Sequence, residues 1–346
     1  MGENVGLCNL GNTCYLNSCV QILRKIGEFR AITTKYAASN SLEKHSLEQS
    51  LDVTLLRAWT HLQNGISEIN QSGATIIVNP STFVKTVYAV AIKNRREMFS
   101  GGGQNDMSEF LLFLVESIHS VIKRPVKIKI NGTPQSSTDN LAVQCYRTIQ
   151  NIYEKEYSEI IDLFYGISVM QIRKKDDTVL SSKPDHFFIL DLIINRSKSI
   201  YDCLNAYCAD ETLENENAWY NESTKQKEPS VKKRTIFWSF PKILVITLNR
   251  YATGFRKNGA LIDFPIDNLD LSKYTRGYRP ETNVYDLFGV CNHYGGVSGG
   301  HYTAFSREIG DSDNGNWMEY NDTRVSEINN VVTPAAYCLF YRRRPC

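Results

Sequence analysis

The period of the hydrophobic pattern changes partway along this chain, and that change limits the fold more than any other feature. In the first third, apolar residues recur at helical spacing. Residues 17–26 place Val20, Ile22, Leu23 and Ile26 near one face, and residues 51–62 do the same with Val53, Leu55, Leu56, Trp59 and Leu62. Residues 108–122 carry a broad stripe of Phe110, Leu111, Leu114, Val115, Ile118 and Ile122, with Ser108 as the expected cap. After about residue 160 the texture becomes short apolar runs between turn residues, as in 166–172, 186–194, 243–251, 284–293, 301–307 and 337–341. Helices first and mostly antiparallel strands later is an α+β pattern. The tracts 100–103 and 131–140 are expected to be exposed loops, and 215–233 a partly ordered loop or hairpin tip.

Charge and cysteine content narrow the class. Lys plus Arg (39) nearly balance Asp plus Glu (37), which does not suit a dedicated nucleic-acid binder. No apolar run approaches membrane-spanning length; the best, residues 187–194, is interrupted by Asp191. The nine cysteines are odd in number and scattered through 346 residues, unlike a secreted disulfide framework. With no apolar leader at the start, the expectation is a reduced, intracellular, soluble protein whose cysteines are mostly buried small hydrophobes.

One cysteine stands apart. From Gly6 to Ser18 glycines and asparagines cluster, and the chain then enters a helix near Cys14. A helix N-terminus offers unpaired N–H groups and partial positive charge, which favour a thiolate and can receive the charge of a tetrahedral intermediate. Cys8 and Cys19 lack that setting and read as structural. A second cluster lies far downstream. The glycine-rich residues 295–300 read as a mobile loop ending at His301, and a strand follows. A further strand ends in Asn321 and Asp322, and a hairpin can bring either beside the His301 ring. Cysteine, histidine and an orienting amide or acid form a nucleophile, a base and a positioner. His293 is the rival base; it reads as a structural residue at a strand end.

Four blocks, in order, resemble the ubiquitin-specific protease family. Gly6 to Gln21 resembles its Cys box, and Gly299–Phe305 with Trp317–Asp322 its His box. Residues 104–111 and 240–251, with Phe264–Pro265 behind them, resemble two intervening blocks. The resemblance implies an α+β, papain-like fold of thumb, fingers and palm in one catalytic domain over residues 1–346. The helical thumb would span about 1–125 and the β-rich fingers and palm 126–346, with finger segments near 165–235. It implies hydrolysis after the Gly-Gly end of ubiquitin through a thioester. Cys14 falls on the nucleophile, His301 on the base, Asn321 on the third triad member, Asp322 on the adjacent acid and Asn9 on the oxyanion donor. Asp106, Glu109 and Tyr302 fall on substrate-binding positions, with Asp106 favoured over Glu109 for the arginine-bearing tail of ubiquitin.

The implied partners are ubiquitin and ubiquitinated proteins, not nucleic acid or membrane. Many family members hold zinc through two CxxC pairs, and this sequence has no CxxC; residues 172–175 and 222–225 stand where the pairs would fall. No metal or other cofactor is expected, and strand pairing alone is expected to hold the fingers. Asn105 and Asn249 depart from the usual Gln and Lys. Two alternatives keep the fold: a protease for a ubiquitin-like modifier, and a non-catalytic ubiquitin-binding module.

Overall fold

Two apolar runs in the C-terminal half organise the architecture, because each is buried on both faces. The protein is represented by a computed structural model that describes residues 5–39, 50–69, 76–251, 256–296, 299–308 and 315–345. In it, Ile243–Asn249 and Ala336–Arg343 lie side by side in one sheet and alternate their side chains between two cores. Ile243, Val245, Cys338 and Phe340 enter one core; Leu244, Ile246, Leu248, Leu339 and Tyr341 enter the other. A strand covered on both faces needs a near-continuous apolar run, which is what these segments supply.

In chain order the elements begin with β1 (Val5–Leu7), α1 (Cys14–Leu23), α2 (Gly27–Ala37), α3 (Ser50–Ile69), β2 (Ile76–Val78), α4 (Ser81–Lys93) and α5 (Met107–Ile122). Next come α6 (Ser137–Glu156), α7 (Glu159–Phe164), β3 (Gly166–Arg173), β4 (Val179–Phe187), β5 (Ile189–Ile193), α8 (Ile200–Tyr207), β6 (Glu211–Glu214), β7 (Tyr220–Asn221), β8 (Gln226–Lys227) and β9 (Ser230–Ser239). The last are β10 (Ile243–Asn249), β11 (Leu269–Asp270), β12 (Val284–Gly296), β13 (Gly299–Ser306), β14 (Met318–Asn321), β15 (Arg324–Glu327) and β16 (Ala336–Arg343).

The large sheet runs β15-β14-β13-β12-β16-β10-β5, with β11 paired to β12. The N-terminal helices cover one face: Leu16, Leu23, Phe29, Trp59, Phe83, Phe110 and Leu114 share a core with Phe288 and Phe340. A second sheet, β4-β3-β9-β6, projects from it, and α6 packs on one face through Ala142, Cys145, Leu141 and Ile149 against Ile167, Val169, Ile236 and Trp238. Helical thumb, central palm and projecting fingers are thus all present.

The structure corrects several local expectations. Helix α5 is capped by Asp106, not Ser108: the Asp106 carboxylate accepts from the N–H groups of Ser108 and Glu109. Helix α1 begins at Cys14, as expected, but ends at Leu23 rather than running on to Ile26. The expected loop through residue 140 gives way at Ser137 to the twenty-residue α6, capped by Ser136. Only Ala142 and Cys145 of α6 are fully buried, too thin a stripe to stand out in the sequence. The run 186–194 is two strands. It breaks at Phe188, where the chain leaves the finger sheet for the palm. Residues 230–233 of the supposed loop begin β9, and β5–β10 and β1–β2 pair in parallel. Val297 and Ser298 of the glycine-rich loop lie outside the described residues. Among the described residues no helix is long and apolar enough to cross a membrane.

Strand pairing is not alone in holding the finger tip. The Arg173 side chain, 7% exposed, bonds Asp177 at 2.6 Å and also Asp210, and Lys232 stands within 4.0 Å of both acids. One buried guanidinium therefore ties the turn after β3 to the segment entering β6. Both acids are partly exposed, which screens the pairs. Arg173→Ala should lower the urea-unfolding free energy by about 1–2 kcal/mol. Hydrogen exchange should quicken at the ends of β3, β6 and β9; unchanged exchange there would mean pairing suffices.

Candidate active site

The segment between β1 and α1 folds around one amide. Gly11 and Asn12 take positive φ (92° and 55°), turning the chain sharply before the helix. Asn9 Oδ1 accepts from the N–H groups of Gly11 and Thr13, both at 3.1 Å, and Thr13 Oγ1 accepts from the Leu10 N–H at 2.9 Å. The chain enters α1 at Cys14 without a side-chain cap on its first N–H groups. Burial pushes the Cys14 thiol pKa up. The Tyr302 N–H pulls it down, the negative charge of Asp322 raises it again, and the N–H groups of Tyr15 and Cys14 lower it; burial dominates.

His301 comes from the palm. The β12–β13 hairpin sets His301 opposite Tyr294. His301 Nε2 lies 2.8 Å from Asn321 Oδ1 at the end of β14. An amide oxygen can only accept, so Nε2 carries the proton and Nδ1 keeps a lone pair. The Tyr302 N–H, one residue past His301, lies near enough to the Cys14 sulfur to lower its pKa. The structure therefore brings Cys14, His301 and Asn321 into one neighbourhood, as the sequence predicts.

Two carboxylates close the seam between thumb and palm. Asp322, at φ 51°, accepts from Asn9 Nδ2 at 2.9 Å and from Asn17 Nδ2 at 2.8 Å, so each oxygen holds one thumb amide. Its backbone carbonyl also receives the Leu7 N–H at 2.9 Å. This approach is close enough that a Cβ on Gly6 would lie 2.5 Å from the Thr323 carbonyl oxygen, so residue 6 must be glycine. Asp106 works from the thumb side. Besides capping α5, it accepts from Tyr302 Oη at 3.3 Å and Tyr337 Oη at 2.5 Å. Burial, then the Asp106 charge, pushes both phenols well above their usual range, so they remain donors.

The cleft beside Cys14 encloses about 230 Å³ and is lined by Gln104, Asp106, Tyr251, His293 and Tyr302 among others. His293 is buried there with its ring 4.6 Å from that of Tyr302. Burial, then the charge of Lys257, lowers its pKa to about 4. Its Nδ1 lies 3.2 Å from Lys257 Nζ. A neutral imidazole facing an ammonium is a poor base, which favours His301. Glu109 is exposed on the first turn of α5. Sequence reasoning missed Asn17, Gln104, Lys257 and Tyr337. Asn17 lay inside the Cys-box block and could have been marked; Tyr337 carried no signal, because its role depends on sheet register.

Two outcomes follow from this geometry. Asp106→Ala should lower unfolding stability in urea by about 2–3 kcal/mol, from a lost helix cap and two phenols left without their acceptor; Asp106→Asn should lose less. Cys14 should be mostly protonated at neutral pH. Its alkylation rate, taken as the difference from Cys14→Ala, should reach half-maximum above about pH 8.5, the value of an ordinary cysteine. A midpoint below that would contradict the dominance of burial.

Comparison with known proteins agrees with the fold and motifs. The family model described as ubiquitin carboxyl-terminal hydrolase matches residues 5–341. Human ubiquitin carboxyl-terminal hydrolase 21 is 31% identical over 369 residues, covering 98% of this chain and 61% of that protein. Bovine ubiquitin carboxyl-terminal hydrolase 2 is 31% identical, covering 97% and 54%. The chain thus spans only about three fifths or less of the length of these relatives. Among solved structures, the SAGA Ubp8/Sgf11/Sus1/Sgf73 DUB module bound to ubiquitin aldehyde contains a chain of the same fold, with a TM-score of 0.71, 23% identity and coverage of 100% of this chain and 71% of that one. With the family match running through almost every element from β1 to β16, this chain belongs to the ubiquitin carboxyl-terminal hydrolase family, in its ubiquitin-specific protease form.

Proposed function

We propose that the chain is a deubiquitinating cysteine protease that cuts the peptide or isopeptide bond after the C-terminal Gly-Gly of ubiquitin. The observation that carries this reading is the 2.8 Å contact of His301 Nε2 with Asn321 Oδ1, on the strand whose next N–H lies near the Cys14 sulfur. Relatives in the family are named ubiquitin hydrolases, and solved structures of the same fold hold monoubiquitin or ubiquitin aldehyde.

The reaction would begin from a thiol. His301 Nδ1 takes the Cys14 proton as Sγ bonds to the carbonyl carbon of the last glycine. The oxygen becomes an anion beside the first N–H groups of α1 and the Asn9 amide. One Asn9 N–H is fixed on Asp322, which directs the other. Collapse breaks the C–N bond, the leaving amine takes the proton from His301, and a thioester remains. Water, giving a proton to the same Nδ1, then attacks the thioester, and the carboxylate and thiol are released. A cleft of about 230 Å³ favours two glycines over residues with side chains. The Asp106 oxygens are already bonded within the protein, so exposed Glu109 is better placed to meet an arginine of the tail, reversing the order the sequence suggests.

Ubiquitin bearing a C-terminal thiol-reactive group should label the wild type and not Cys14→Ala. Ubiquitin-like modifiers with the same group should label more slowly. Hydrolysis of a ubiquitin amide should fall about 10²- to 10⁴-fold in His301→Ala and about 10²- to 10³-fold in Asn9→Ala. Equal labelling of Cys14→Ala, or none of the wild type, would overturn the reading.

A further inference from the structure

Strand β13 continues past the point where its neighbour stops. Strand β12 pairs with it from Gly299 to Ser306, but β14 pairs only with Ala304, Phe305 and Ser306. From Gly299 to Tyr302, then, β13 presents an edge toward the cleft with no strand among the described residues to receive it. Backbone groups of alternate residues face the same edge. Two of its N–H groups have partners of another kind. The Tyr302 N–H lies near enough to the Cys14 sulfur to lower its pKa. Two residues earlier, the Gly300 N–H donates to the side-chain carbonyl of Gln104 at 2.7 Å.

A glutamine amide has the chemistry of a peptide group, and this one sits where the carbonyl of an added strand would sit. Gln104 belongs to the thumb, ahead of α5, and its Nε2 donates to Asn12 Oδ1 at 3.4 Å. Asn12 Nδ2 in turn donates to the Gly102 carbonyl at 2.7 Å. The bridge thus reaches from the loop before Cys14 across the cleft to the hairpin that carries His301. The hairpin leaves room for it: a Cβ on Gly299 would lie 2.7 Å from Gln104 Oε1. Asn12 and Gln104 are both exposed, so the bridge is made of neutral bonds open to water, the kind that exchange readily.

We propose that the Gly300–Tyr302 edge receives the extended end of the substrate as an added strand, and that Gln104 is an internal stand-in for it. Its amide carbonyl holds the Gly300 N–H until a substrate peptide carbonyl replaces it. This rests on the protease reading above. It makes a signed prediction, because a stand-in competes with substrate whereas a substrate contact assists it.

The test uses the full chain carrying Cys14→Ala and measures ubiquitin affinity by fluorescence anisotropy. Adding Gln104→Ala should tighten binding about two- to tenfold, the range of one neutral hydrogen bond. The gain should vanish with ubiquitin lacking its C-terminal tail. Gln104→Glu keeps an acceptor of the same length and should give no gain. Unchanged or weaker binding by Gln104→Ala would overturn the proposal. Hydrogen exchange at the Gly300 amide gives a readout without substrate. It should quicken in Gln104→Ala with the melting temperature unchanged, and an unchanged rate would equally overturn the stand-in. Quickened exchange with no ubiquitin bound by either form would support the stand-in and overturn ubiquitin as the substrate.

Discussion

The site depends on how the thumb is fastened to the palm. Cys14 starts a thumb helix and His301 lies on a palm strand, so their separation is set by a seam between two packed layers. Two carboxylates hold that seam in opposite directions. Asp322 reaches from the palm to two thumb amides, Asn9 and Asn17; Asp106 reaches from the thumb to two palm phenols, Tyr302 and Tyr337. A slide of either layer would break charge-assisted bonds at both points, and such bonds are stronger and more directional than neutral ones. The arrangement has an electrostatic consequence. Burial raises the Cys14 pKa most, and Asp322 lies near enough to raise it further. The alignment that the seam secures thus disfavours a standing thiolate, and a base becomes necessary at the moment of attack.

The same logic explains why the N-terminal block is so dense. Gly6 makes room for the Thr323 backbone, Asn9 braces the turn, and Gly11 and Asn12 supply its positive φ. Asn17 reaches Asp322, and Gln21 Nε2 donates to the Val5 carbonyl at 2.8 Å, fixing β1 against α1. Buried or strained backbone has few cheap substitutes for these groups. Most of the polar residues in that stretch therefore have an assignable partner, though only Cys14 and Asn9 take part in the proposed chemistry.

That density is also why the site was legible in the sequence and parts of the fold were not. Cys14, His301, Asn321 and Asn9 sit in short blocks whose residue types announce turns, helix starts and strand ends. The two-faced strands β10 and β16 announced themselves by continuous apolar runs. Helix α6 did not, because a helix lying on a finger sheet buries a thin stripe and keeps polar residues elsewhere. Ser108 is not the cap because the Asp106 carboxylate, two residues earlier, satisfies two orphan N–H groups while the serine hydroxyl itself donates to it. The contacts of Tyr337 with Asp106 and of Gln104 with Gly300 span 231 and 196 residues. Such pairings are created by sheet register and by the seam, and no local pattern encodes them.

The cleft of the free chain is, in consequence, already furnished with its own partners. The Asp106 oxygens are bonded, the Gly300 N–H is covered, His293 is held neutral against Lys257, and Cys14 is buried. Each of these polar groups thus has a partner within the protein before any substrate arrives. On the proposed reading, binding is an exchange of partners rather than an occupation of empty space. Discrimination follows from that exchange. Under that proposal, a chain end that offers a peptide carbonyl at the Gly300 edge can replace the internal bond it displaces. One that cannot must leave a donor or a carboxylate unsatisfied, and the closed arrangement of the free chain is the more stable alternative.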